Sequence, residues 1–140
     1  MKSFPETVED FLDGQILLID KPLGWTSFDV VKKIKNLIRT KYNLKKIKVG
    51  HAGTLDPLAT GLLIVCTGKF TKQISKIQNQ EKKYTGDITL GETTPSYDLE
   101  TEVDVAFETA HINEQLIQET TAQFIGEIDQ IPPIFSALKR

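Results

Sequence analysis

The chain has 140 residues, 39% of them apolar, and a net charge of −2, which is one domain's worth of length with too much apolar material for a disordered chain. No apolar run approaches the ~20 residues that span a bilayer, the opening MKSFPETVED has no secretory-signal core, and the single Cys66 excludes an internal disulfide, so a cytoplasmic location is the default reading. Charge is segregated: residues 31–83 hold 13 Lys and Arg against two acids, Asp56 and Glu81, while residues 84–138 hold 11 acids and no Lys or Arg, a pattern that fits a phosphate-binding basic face or two oppositely charged halves.

In chain order, residues 1–13 read as a loose, acidic N-terminal arm. Gln15 to Asp20 (QILLID) has strand length, and Pro22 and Gly24 in KPLGW mark a turn after it. Thr26 and Asp29 form a T-x-x-D helix start. Phe28, Val31, Ile34 and Ile38 follow at helical spacing, which predicts an amphipathic helix over 27–42 with Lys32, Lys33, Lys35 and Arg39 on its other face. Ile47 and Val49 suggest a short strand, residues 50–61 a loop, Leu62 to Thr67 a buried strand, and Lys69 to Gln78 a helix with Phe70, Ile74 and Ile77 on one side. A strand is predicted over Lys83 to Leu90, an edge strand at Val103 and Val105, a helix over Asn113 to Phe124, and a strand from Ile125 to Ile131 closed by Pro132 and Pro133. Interspersed helices and strands place the chain in the α/β or α+β class with a mixed sheet.

Among residues that can carry chemistry, Asp56 stands out as the one acid between Asp29 and Glu81. Glycines at 50, 53 and 61 permit tight turns and close approach of a large ligand, and Pro57 stiffens the loop. A carboxylate held this way in a positive field suits a nucleophile or a charge stabiliser. Asp-Pro is equally a common turn pair, and spacing alone leaves both readings open. His51 can contact phosphate or base, or sit hydrogen-bonded in the loop. Tyr84 can stack on a base or lie half-buried, and Trp25 and Tyr42 fit a core. No Walker pattern follows through, since Gly68-Lys69 leads into Phe70. One cysteine and two distant histidines, His51 and His111, make no metal cluster, and Ser27 and Ser136 lack a hydrolase-type histidine pattern.

Four segments in order resemble the tRNA pseudouridine synthase B family. They are GQILLIDKPLGWTSFDVV at 14–31, VGHAGTLDPLATGLLIVCTGKFTK at 49–72 with the G-x-L-D-P-x-A-T-G motif, EKKYTGDITLGETTPSYDLE at 81–100, and IGEIDQIPPIFSALK at 125–139. The resemblance covers nearly all of 14–140. It implies an α+β fold with a mixed, mainly antiparallel sheet flanked by helices, with residues 14–140 forming the N-terminal part of the catalytic domain. It also implies isomerisation of uridine 55 in the T loop of tRNA to pseudouridine, on a base flipped out of the loop.

By that resemblance Asp56 is the catalytic nucleophile at the ribose C1′, Tyr84 stacks on the target base, and His51 holds displaced T-loop nucleotides. Gly53, Thr54 and Leu55 line the substrate side, and Lys21 with Pro22 supports the catalytic loop. The basic helix after Thr26 tracks tRNA phosphates, so binding is expected to depend on salt. Leu55, Leu58 and Leu62 supply an apolar surround that keeps water from the freed base. The resemblance implies no cofactor and no metal, a tRNA T-arm as partner, no membrane, and a monomer at full family length.

Members of the family continue past the S-A-L-K motif to an arginine that pairs with the catalytic aspartate, and Arg140 comes too early in the motif order to be that residue. The 140 residues are therefore expected to be a truncated synthase with little activity of their own. Two other readings are a non-catalytic RNA-binding module using the basic helix and Tyr84, and an interaction protein whose acidic second half docks a basic partner.

Overall fold

The computed structural model describes residues 7–129. Thr7 starts helix α1 (Val8–Asp13): its hydroxyl accepts from the Asp10 backbone N–H while the Asp10 carboxylate accepts from the Thr7 N–H, a reciprocal cap. Phe11 of this helix is buried against Ile38 and Ile47. The expected loose arm is thus ordered from Thr7 on, because one apolar residue every turn is enough to seat a capped helix on the core. The T-x-x-D pattern at 7–10 is the local signal for this cap.

The first compact unit ends at Lys83. Its sheet has the order β1 (Ile16–Lys21), β3 (Gly61–Thr67), β2 (Val49–His51), and both ladders are antiparallel. Ile16 pairs with Cys66 and Lys21 with Gly61 along the first, and Val49 pairs with Thr67 and His51 with Val65 along the second. Side chains alternate across a strand, so Leu17, Ile19 and Lys21 face inward while Ile16 and Leu18 face out, Leu18 with 67% of its surface exposed. Antiparallel pairing within an α+β arrangement agrees with the fold class expected from the sequence.

Helix α2 (Ser27–Lys41) carries the expected Thr26–Asp29 capping box, with Thr26 accepting from Asp29 N and Asp29 accepting from Thr26 N at 3.1 Å. Its buried stripe runs through Ser27, Val30, Val31 and Ile38, with Ile34 half-buried, and packs Val30 and Val31 on Leu63 and Val65. Phe28, expected on the inner face, is 67% exposed. The spacing 27, 30, 31, 34, 38 follows one helical stripe, and Phe28 lies to the side of it. Full burial of aliphatic side chains such as Leu63 and Val65 contributes about 1.5–3 kcal/mol each. A 3₁₀ turn (Gly68–Gln73) leads into helix α3 (Ile74–Gln78), with Phe70, Ile74 and Ile77 half-buried as their spacing predicted.

In the second unit, strands β4 (Glu92–Thr93) and β5 (Val105–Ala106) form a short antiparallel pair, and Asn113 caps helix α4 (Glu114–Ala122). The edge strand expected at 103–105 begins at Val105. Residues 83–90, expected to be a strand, are irregular, and Tyr84 and Ile88 are exposed by 69% and 88%. A strand exists only through its ladder partner, and among the described residues nothing pairs with 83–90. Residues 125–129 are likewise irregular, and the remainder of that expected strand, with the P-P and S-A-L-K segments, lies outside the described residues. Among the described residues no helix is long and apolar enough to cross a membrane.

Candidate active site

The connection between β2 and β3 runs from Ala52 to Thr60 and holds Asp56 at its centre. Two glycines shape it. Gly53 has φ +118° and Gly61 φ +121°, both in a region closed to ordinary side chains. Gly50 has ordinary dihedrals and serves a different end: it lies in β2, where a Cβ would come within 2.9 Å of the Ile74 side chain. Ala52 N donates to the Ile64 carbonyl at 2.8 Å, and Ala59 N to the Asp56 carbonyl at 3.0 Å, closing a turn over Asp56-Pro57-Leu58-Ala59. The Asp-Pro turn reading is thus correct for the backbone, and it leaves the side chain free for other work.

Both neighbours of Asp56 are clamped. On one side, the buried Ser27 at the start of α2 bonds Leu55 twice: Leu55 N donates to Ser27 Oγ at 2.9 Å, and Oγ–H donates to the Leu55 carbonyl at 3.1 Å. On the other side, Gly24 N donates to the Pro57 carbonyl at 2.8 Å. Beneath the loop lies Lys21, with none of its surface exposed, and its Nζ donates to the carbonyls of Trp25 (2.6 Å), Pro22 (3.1 Å) and Pro57 (3.5 Å). The turn after β1 and the Asp56 loop are therefore laced together through one amine. Among the described residues, the Asp56 side chain forms no hydrogen bond or ion pair, and the residue is exposed. The fold holds its backbone and presents its carboxylate.

Of the residues singled out from sequence, His51, Gly53, Thr54, Leu55, Asp56 and Lys21 are gathered here, with Leu55 placed otherwise than expected. Lys21 is too deeply buried to touch a ligand, so it supports the loop. The Leu55 side chain packs against the Val30–Leu63 core and anchors the loop from inside. Thr54 is exposed beside Asp56. His51 Nδ1 lies 2.5 Å from the Gly53 carbonyl, which can only accept, so Nδ1 is the donor and Nε2 takes no part in this bond. Trp25, expected in a core, is 39% exposed at the turn before α2, whereas Tyr42 does join a core, beside Phe11 at 5.9 Å. Tyr84 belongs to the second unit and is exposed there.

Ser27 and Gly24 were not picked out as site residues from the sequence. Ser27 drew attention only as a hydrolase nucleophile, because its partner lies 28 positions away and no local pattern announces it. The thiol of Cys66 is buried in β3 and pushed above its ordinary pKa by that burial.

The family model described as TruB family pseudouridylate synthase (N terminal domain) matches residues 39–140. The tRNA pseudouridine synthase B of Flavobacterium johnsoniae is 66% identical over 135 residues, which are 96% of this chain and 59% of that protein. Proteins of the same name from Chloroherpeton thalassium and Parabacteroides distasonis are 58% identical over 125 residues and 56% identical over 130 residues. These alignments cover 89% and 93% of this chain, and 51% and 55% of the relatives. The chain thus spans between half and three-fifths of the length of these relatives.

Proposed function

The chain belongs to the TruB family of pseudouridylate synthases, and from that premise we propose that it is the portion of a tRNA pseudouridine-55 synthase that carries the nucleophile, Asp56. The observation that supports this reading best is the pairing of a clamped backbone with a free carboxylate: Leu55 and Pro57 are tied down on either side while Asp56 projects into solvent. A nucleophile held in one place has its orientation entropy removed before the substrate arrives.

In the proposed reaction the T-loop uridine is flipped out to reach Asp56. The N1–C1′ bond breaks with its electron pair leaving on the uracil, and the carboxylate adds to C1′ or stabilises the charge that develops there. The base turns, C5 bonds to C1′, the C5 proton leaves and N1 takes one up. Atoms and electrons balance within one nucleotide, so the proposed step requires no group carrier. Tyr84 stacks on the free base, and His51, through Nε2, holds the displaced nucleotides. Cytoplasmic tRNA, bound at its T arm by a monomer, is the proposed substrate.

The 140 residues alone are proposed to be inactive, on a physical ground. Leu58 and Leu62, the expected apolar surround, are 46% and 61% exposed in the first unit, so this unit by itself does not exclude water from a freed base. The test compares the chain with a form extended to the relatives' length, each mixed with unmodified tRNA and assayed for pseudouridine by chemical derivatisation and sequencing. Product at the T-loop uridine from the longer form, lost in Asp56→Asn, supports the proposal. Binding without product from either form replaces it with the RNA-binding module.

A further inference from the structure

Helix α2 carries Lys35 and Arg39 in its second half, and the segment that returns to β2 reads KKIK at 45–48. Together with the 3₁₀ turn after β3, these residues wall a groove of about 700 Å³. Lys35, Arg39, Lys45, Lys46, Lys48 and Lys72 line it, with Lys69, and no carboxylate is among the lining residues. Lys69 is tied to Asp13 at 2.7 Å and is the one of the seven in an ion pair among the described residues. The floor is formed by the buried Ile47 and by Gly68. Seven cations around one concavity repel one another, and a chain with 19 acids had ample means to neutralise them. A site that keeps such a charge is organised for a polyanion.

Its position decides which part of a polyanion it meets. Gly68 follows directly on the last residue of β3, while the Asp56 loop feeds into the first. Seven extended residues separate the two ends, a distance on the order of 20 Å. A nucleotide at Asp56 cannot also fill the groove.

We propose that this groove binds the backbone phosphates of the RNA stem that lies away from the nucleotide at Asp56, so that it sets affinity and register while the loop performs chemistry. The inference rests on the reading of the chain as a tRNA-binding enzyme and adds to it a contact apart from Lys32 and Lys33, which lie with Gly24 and Trp25 at the start of α2. Phosphate contacts of this kind position a nucleic acid without reading its bases. Each one adds about 0.9 to the slope of log affinity against log salt on a duplex.

The test uses Lys46→Glu with Lys48→Glu, in the 140-residue chain and in the form extended to the relatives' length. The control is Lys76→Glu with Lys82→Glu, which changes net charge equally from exposed sites outside the groove. Binding of unmodified tRNA is titrated across salt concentrations, and again with a hairpin trimmed to the T loop and its adjoining base pairs. The groove pair is expected to lose at least about tenfold in tRNA affinity and to flatten the salt slope by about 2, the control pair to lose less than about threefold, and the trimmed hairpin to bind all forms alike. Lys46→Gln with Lys48→Gln, which removes charge without adding acid, is expected to give an intermediate loss and guards against misfolding. Equal losses in groove and control pairs, or a groove effect that persists on the trimmed hairpin, would overturn the proposal. Pseudouridine is counted in the same samples. Product with unchanged affinity removes the groove and leaves Asp56 standing, whereas lost affinity without product in any form keeps the groove as an RNA contact and removes the isomerase.

Discussion

Replacing Lys21 with Met keeps the length and apolar stem of the side chain and deletes its three hydrogen bonds. Two of them, to Trp25 O at 2.6 Å and Pro22 O at 3.1 Å, are well formed; the third, to Pro57 O at 3.5 Å, is at the limit. A hydrogen bond involving a charged group contributes about 1.5–3 kcal/mol, and a buried acceptor left bare costs about 1–3 kcal/mol. Against this, Met needs no polar partner in a fully buried position. The Pro57 carbonyl also keeps its bond from Gly24 N. The expected net loss is about 3 kcal/mol, a large share of the stability of any domain. With a urea slope of roughly 1.5 kcal/mol/M it lowers the midpoint by about 2 M. In the form extended to the relatives' length, the same change is expected to reduce kcat for pseudouridine formation more than it raises KM, because the loop that aims Asp56 loses its support while the phosphate contacts remain. Lys21→Met with an unchanged urea midpoint and an unchanged kcat would refute the claim that this amine laces the turn to the catalytic loop.

Ser27→Ala removes both bonds to Leu55 from a buried site, with an expected loss of about 2–4 kcal/mol by urea unfolding and a lower kcat in the extended form; a neutral result would mean that Leu55 is held by packing alone. Gly61→Ala forces a Cβ into φ +121° with open space around it, so backbone strain alone should cost about 1–3 kcal/mol, read from the thermal midpoint. Asp29 has its pKa lowered, chiefly by the side-chain hydrogen bond from Thr26 and then by the Thr26 backbone N–H. Its stabilising contribution is therefore present above the unfolded carboxylate value near 4 and is lost as pH falls through the lower folded value. Thr26→Ala should flatten the acid limb of a stability-against-pH curve, and an unchanged limb would show that other carboxylates govern it.

Local chemistry wrote much of the first unit legibly. The Thr26–Asp29 cap, the Pro22–Gly24 turn and the apolar runs of β1 and β3 are each specified within a few residues, and they came out where their patterns placed them. The motif around Asp56 marked the loop and its glycines, since positive φ has few solutions other than Gly. What remained hidden depended on partners far along the chain. Phe28 is as apolar as the residues α2 buries, and only the direction of the buried stripe packed on β3 leaves it outside. Residues 83–90 alternate like a strand, yet a strand needs a ladder, and alternation does not supply one.

The sequence by itself determined which carboxylate stands on the loop, and it determined the segregation of charge, because residue type and local turn chemistry suffice for both. Only the tertiary structure decided that Ser27, Gly24 and Lys21 hold that loop from three sides, and that the lysines of 45–48 join those of α2 and the 3₁₀ turn in one groove. Those arrangements join residues far apart in the chain, Lys21 with Pro57 and Lys35 with Lys72, where contact is set by how the sheet and helix pack and no local pattern records it.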